Sequence, residues 1–266
     1  MDRFIERSAR RTRDGIPTDE AVPLVVEEPL EIRVNGAPYA VVMRTPGNEF
    51  ELAAGFCLTE GVVDSHSEIT HIGFCSEAGA NSGNIVNVLT DTGVGHSPRR
   101  SGALASRTGC GICGVRMLDD LEIGLNRLSD GPAVSASALV AMQYAMFERQ
   151  ELFKATWGGT HAVMLARAGG DIIVVREDVG RHNAMDKAIG WSMENGVDPR
   201  DCVALLSSRI SFEMVQKAVR AGIPVVAAIS TATSLAVELA ERTGCTLVGR
   251  LRDRDMLVYT NPGRII

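Results

Sequence analysis

The sequence predicts an α/β fold in two regions, a β-rich first part and a second part that layers helices on a mixed sheet. Three observations carry this. Beyond Val134, strand-like apolar runs alternate with helical patterns, and parallel strand neighbours need such helical crossovers. From Leu30 to Arg44 the chain instead shows two extended runs around an Asn35-Gly36 turn. The balance of 45% hydrophobic and 23% charged residues over 266 positions suits a globular chain with one large core or two modest ones.

Residues 1–20 are Arg-rich and lack an apolar run, so they are expected as a frayed, flexible tail rather than a secretory signal or a nucleic-acid arm. Residues 21–108 are expected as a β-rich domain with one helix. EIRV, Asn35-Gly36 and YAVVMRT predict a hairpin. The helix is capped near Asn48, carries Phe50, Leu52, Ala53, Phe56 and Cys57 on an apolar stripe, and stops at Gly61. Ile85 to Thr90 alternates like a strand. A polar stretch over 91–108 leads into a cysteine-bearing loop and linker at 109–134. The second domain, 135–266, starts with a helix near 137–150 and a hairpin of HAVMLAR and DIIVVRE around Gly169-Gly170. It continues with helix 182–194, strand CVALLS, helix 212–221, strand 223–229, helix 234–242 and the strands CTLVG and MLVYT.

Composition narrows the function classes. No apolar run is long enough for a bilayer, so no membrane association is expected. A net charge of −6 argues against nucleic acid as a partner. Lysine occurs only at 154, 187 and 217, and every other basic residue is Arg, the side chain that grips phosphate with a bidentate fork. Of the six cysteines, Cys57, Cys75, Cys202 and Cys245 lie in apolar or half-apolar stretches and are expected as inert buried thiols. Reduced thiols in a chain of this size point to the cytoplasm.

The other two cysteines sit in Thr108-Gly109-Cys110-Gly111-Ile112-Cys113-Gly114, between Arg107 and Arg116. Glycines give a bulky partner access to both sulfurs, and nearby cations favour the nucleophilic thiolate. A thiol at i+3 can attack a sulfur held by the first cysteine, which is the chemistry of a redox pair or a sulfur relay. A structural zinc site would need four ligands, and no second CxxC or His pair follows. The G-x-G-x-x-G at 109, 111 and 114 follows a polar loop, not the buried strand that a dinucleotide site requires. His66-Ser67-Glu68 with Cys110 and Cys113 imitates the zinc nucleobase deaminase signature, but Gly109 stands where Pro is expected.

Three strand-to-helix turns carry the remaining polar clusters. Glu177-Asp178-Val179-Gly180-Arg181-His182-Asn183 follows one strand, and capping alone explains only one of its side chains. Ser207-Ser208-Arg209-Ile210-Ser211 and Ser230-Thr231-Ala232-Thr233-Ser234 follow the next two. Strand ends and helix N-termini commonly line the ligand crevice of an α/β sheet, so one polar pocket is expected from all three. Between the last two strands, Arg250-Leu251-Arg252-Asp253-Arg254-Asp255 is either a solvated hairpin or a pyrophosphate and guanine contact.

The runs ELAAGFCLTEG (51–61), TGCGICG (108–114), GGTHA (158–162), REDVGRHNAMDKAIG (176–190), SSRISFEMVQKA (207–218), GIPVVAAIS (222–230) and VYTNPGRI (258–265) resemble the FdhD/NarQ family of formate dehydrogenase accessory sulfurtransferases. The resemblance implies a homodimer whose second domain is a cytidine-deaminase-like three-layer sheet without deaminase chemistry. It implies a carrier that takes persulfide sulfur from a cysteine desulfurase and passes it to a molybdenum bis(molybdopterin guanine dinucleotide) cofactor for a formate dehydrogenase apoenzyme. By position, Cys110 would carry the persulfide with Cys113 as partner. Cofactor contacts would fall on Arg250, Leu251, Arg252, Asp253, Arg254 and Asp255. The pocket read from the strand-end turns would add Asp178, Arg181, His182, Asn183, Ser208, Arg209 and Ser230, with GDP-like nucleotides as analogues. An aromatic expected near position 250 is absent, and Asp253-Arg254 replaces a glycine-containing turn. A chaperone that binds and docks the cofactor without sulfur chemistry is the alternative reading.

Overall fold

The computed structural model describes residues 2–75, 83–91, 125–253 and 255–266. The chain begins with β1 (Phe4–Arg13) and β2 (Ile16–Val25), paired antiparallel from Phe4↔Val25 to Arg13↔Ile16. This corrects the expected frayed tail at 1–20. Asp14 and Gly15 both take positive φ, 52° and 80°, as a two-residue hairpin turn of matching twist requires. Arg10–Asp19 and Arg11–Glu20 pairs lie along the ribbon.

Four strands make a second sheet in the order β4-β3-β6-β5: β3 (Glu28–Val34), β4 (Ala37–Arg44), β5 (Ile69–Phe74) and β6 (Ile85–Thr90). The Asn35-Gly36 turn joins β3 to β4 as expected, again with both φ values positive. Helix α1 (Glu49–Thr59) follows. Asn48 precedes it in the left-handed region and gives the helix no side-chain cap, which corrects the expected capping role. Gly61, at φ 74°, ends the helical segment.

The second region holds a six-stranded sheet in the order β12-β11-β10-β9-β7-β8. Its strands are β7 (His161–Arg167), β8 (Ile172–Asp178), β9 (Cys202–Leu206), β10 (Val225–Ala228), β11 (Thr246–Arg252) and β12 (Asp255–Val258). Its helices are α2 (Ala136–Arg149), α3 (Glu151–Ala155), α4 (Arg181–Glu194), α5 (Phe212–Ala221) and α6 (Ser234–Thr243). Because β7 runs antiparallel to β8 and β9, while β9, β10 and β11 are parallel, the carboxyl ends of β8 to β11 share one edge.

Alternation along these strands divides their side chains between two cores. Val163, Leu165, Ala204, Leu206, Val226 and Ala228 join a core with α1, α4, α5 and α6 that also contains Leu30, Ile32, Val86 and Val88 of the four-stranded sheet. Met164, Val203, Leu205, Val225 and Ala227 face the other way, against Leu139, Met142 and Met146 of α2. The six-stranded sheet is thus a middle layer, in a mixed α/β architecture.

Glycine permits the closest helix contact. A Cβ on Gly55 of α1 would fall on the Asp186 carbonyl, and one on Gly190 of α4 would fall on the Glu51 carbonyl. Next to this crossing, buried Lys217 of α5 reaches Asp186 at 2.9 and 3.0 Å and the Thr59 hydroxyl at 2.9 Å, tying three helices together.

Candidate functional site

The shared carboxyl edge gathers the three strand-to-helix turns. Ser207 N–H donates to the Ala162 carbonyl and Ala162 N–H to Ser207 Oγ, so the start of β7 lies beside the β9–α5 turn. Ile210 N–H bonds the Thr231 carbonyl and Thr233 N–H bonds the Ile210 carbonyl, which laces the β9–α5 turn to the β10–α6 turn. Arg250 N–H donates to the Ser230 carbonyl at 2.8 Å. From β8 to β12 the edge crosses five strand spacings, roughly 24 Å.

The clusters separate into internal and outward groups. Asp178 is fully buried and spends its carboxylate on Thr45 N–H, Gly180 N–H, the Asn183 amide and Lys187 Nζ at 2.7 Å. Asn183 also donates to the Met43 carbonyl, and Glu177 accepts from Leu152 N–H, Phe153 N–H and the Thr160 hydroxyl. These side chains fasten the turn to its surroundings. Ser208 is buried and donates to the Arg209 carbonyl, while Arg209 is exposed.

Arg181 and His182 stand at the start of α4. No side chain caps this helix, and none caps α5, whose preceding Ser211 hydroxyl is buried without a partner among the described residues. Arg181 Nε is buried and unpartnered in the same way. By contrast, Thr233 caps α6 through Ala236 N–H. Two helix N-termini with free N–H groups, beside a guanidinium and a hydroxyl, are suited to an anion. His182 Nε2 lies 2.6 Å from Glu213 Oε2. His182 holds the Glu213 carboxyl below its ordinary range. Burial, with Arg181 and His182 acting in the same sense, pushes His161 below the usual imidazole range.

The 250–255 segment also divides. Leu251 is fully buried, its side chain packed in the core under α2. Arg250 is exposed at φ 52°, where the β11–β12 register shifts between Gly249 and Arg252. Arg252 and Asp255 are exposed and opposite one another, and Asp253 accepts from the Tyr144 hydroxyl at 2.9 Å. Arg254 lies outside the described residues. The aromatic missing near 250 has a counterpart that sequence reasoning passed over. The Tyr259 ring packs on Gly249, and its hydroxyl is 3.0 Å from Thr231 Oγ1. His161 was missed as well, although both residues fall inside runs quoted for the family resemblance.

Cys110 and Cys113 lie outside the described residues. The described cysteines separate clearly. Burial pushes the Cys57 and Cys245 thiols up to about 12 and that of Cys202 to about 11, so these three are inert at neutral pH. Cys75, expected buried, is only half-buried at the end of β5. His66 sits in an exposed turn at His66–Glu68. Among the described residues no group of three His, Cys, Asp or Glu is arranged to hold a metal, and no helix is long and apolar enough to cross a membrane. A shallow hollow of about 280 Å³ lies on the β1–β2 ribbon, lined by Glu6, Arg7, Ser8, Asp19, Glu20 and Ala21, and not at the sheet edge.

The FdhD/NarQ family model matches residues 25–266. This chain belongs to the FdhD/NarQ family. A relative from Mycolicibacterium paratuberculosis, named sulfur carrier protein FdhD, is 48% identical over 250 residues and 91% of each chain. A second, with the same name and from Streptomyces avermitilis, is 43% identical over 276 residues, covering 100% of this chain and 97% of the relative. A crystal structure described as a formate dehydrogenase accessory protein from Desulfotalea psychrophila superposes with a TM-score of 0.80 over the full length of both chains. At 24% identity that likeness establishes the fold of this FdhD/NarQ member and no more.

Proposed function

We propose that the chain is a sulfur carrier serving a formate dehydrogenase, loaded on Cys110 and acting on a guanine-dinucleotide molybdenum cofactor as its substrate. The observation that carries this is the convergence of two uncapped helix N-termini with Arg181, His182 and the Ser211 hydroxyl at one sheet edge, in a chain whose relatives are named sulfur carriers. Such an edge suits pyrophosphate. Arg250 and the Tyr259 ring stand four strands along from α4, a separation that suits the two ends of a dinucleotide. Asp178, Asn183 and Ser208 support the turns from behind, and the exposed groups Arg209, Arg252, Asp253 and Asp255, with Ser230, border the same edge.

Sulfur chemistry is assigned to Cys110, the cysteine that the family resemblance marks, and burial keeps the Cys57, Cys202 and Cys245 thiols protonated. The Cys110 thiolate attacks the outer sulfur of a desulfurase persulfide, the desulfurase thiolate leaves, and Cys110 holds the sulfane sulfur. Transfer to the cofactor can then be assisted by Cys113, whose thiolate attacks the Cys110 inner sulfur, closes a disulfide and expels the outer sulfur as sulfide. A homodimer in the cytoplasm, in contact with a desulfurase and an apo-dehydrogenase, completes this reading.

The test is intact-mass analysis after incubation with a cysteine desulfurase and cysteine. One labile addition of about 32 Da is expected, lost in Cys110→Ala and retained in Cys57→Ala. Arg181→Ala should weaken GDP binding and leave loading unchanged, while Cys110→Ala should do the reverse. An adduct that survives Cys110→Ala overturns the assignment. Dehydrogenase activity that survives Cys110→Ala would move the function to cofactor docking without sulfur transfer.

A further inference from the structure

The β1–β2 ribbon has two unlike edges. Proline lacks an N–H and is accommodated in a strand where that position faces away from the paired neighbour. Pro17 and Pro23 share one parity on β2, opposite Thr12 and Glu6, so both blunt the outer edge of β2. That strand is also partly covered at Glu20, Val22, Pro23 and Val25. The β1 edge has neither protection. All ten of its residues, Phe4 to Arg13, are exposed, and none is proline. By the same parity, the backbone groups of Glu6, Ser8, Arg10 and Thr12 face outward on β1. Its side chains are basic, with Arg7, Arg10, Arg11 and Arg13 against the single Glu6. Arg10 and Arg11 are held by Asp19 and Glu20, and the ribbon rests on the body through Arg11 over the Trp157 ring at 5.5 Å and Val25 against Gly159.

We propose that the β1 edge is a docking site for an extended acidic segment of a partner protein, which adds a third strand to the ribbon. Backbone hydrogen bonds would supply affinity, and carboxylates opposite Arg7 and Arg13 would select the partner by charge. A second copy of this chain is the poorer occupant, because it would set two basic strands about 4.8 Å apart. Nucleic acid would meet the charge but leave the row of backbone donors and acceptors unpaired. Trp157 and Gly159 directly precede Thr160 and His161, so a docked partner would lie beside the carboxyl edge of the six-stranded sheet.

The full chain should be titrated with a fluorescent ten-residue peptide of alternating Glu and Val, read by anisotropy. Binding should weaken at least about tenfold when alternate peptide amides are N-methylated, and similarly in Ser8→Pro and in the Arg7→Glu, Arg13→Glu double variant. The N-methylated peptide keeps this test valid if Ser8→Pro disrupts the ribbon. Equal binding of the N-methylated peptide, or of a Lys-Val peptide, would overturn the proposal. So would displacement of the peptide by duplex DNA, or a concentration-dependent dimer that Ser8→Pro abolishes.

Discussion

At the scale of single residues, the edge is built on buried charges whose partners are internal and on a few polar atoms that have none among the described residues. His161 illustrates the electrostatics. Burial and the neighbouring Arg181 and His182 lower its pKa in the fold, so the unfolded chain takes up the proton first as pH falls through about 6.5. Stability attached to His161 is therefore fully present above that value and is lost progressively below it. His161→Gln should flatten the decline in denaturant midpoint between pH 7 and pH 5, and an unchanged slope would remove His161 from the account. Much at this scale was legible in the sequence, since the Arg181, His182 and Ser211 turns do meet. The burial of Leu251 was not legible, because a charged run hides its parity. Among the described residues of 250–255 it alone points into the α2 core, and no pattern of charges announces that. The internal bonding of Asp178 and Asn183 left no local signal, because their partners Thr45 and Met43 lie more than 130 positions upstream. Cys110 and Cys113 stood out in the sequence because glycines surround them.

Helices and strands were read well wherever periodicity is long. Helix 212–221 and the β3–β4 hairpin match their expected positions, because turn and stripe signals agree there. Strand β5 was missed, its six residues broken by Thr70, His71 and Gly73. The ribbon at 4–25 was missed because its alternation carries Arg and Glu on both faces, although Asp14-Gly15 is a plain hairpin signal. The α1–α4 crossing gives the element-scale prediction. Alanine is favoured over glycine in a helix by about 1 kcal/mol, but at Gly55 or Gly190 the new methyl meets a carbonyl of the facing helix, and backbone cannot move aside cheaply. Gly55→Ala and Gly190→Ala should each cost about 1–3 kcal/mol in urea unfolding. Gly169→Ala, with open space around it, should be near neutral. Equal midpoints for all three would show that the helices separate readily.

For the whole molecule, the decisive fact is that the four-stranded sheet and the six-stranded sheet pack on the same helices and share one core. Calorimetry should accordingly give a single unfolding transition covering both regions, and two resolved transitions would contradict a common core. The sequence suggested two regions because their strand patterns differ. What joins them is tertiary, chiefly α1 lying on α4 and Lys217 bonding across three helices, and no local signal reports such contacts. The placing of the lysines has a practical consequence for chemistry at the surface. Lys187 and Lys217 are sealed inside, which leaves Lys154 as the sole accessible ε-amine in a chain of 266 residues. Acylating dyes, amine crosslinkers and acetyl donors should therefore modify the folded protein at that one side chain and the α-amino terminus, giving a near-uniform conjugate without any engineering.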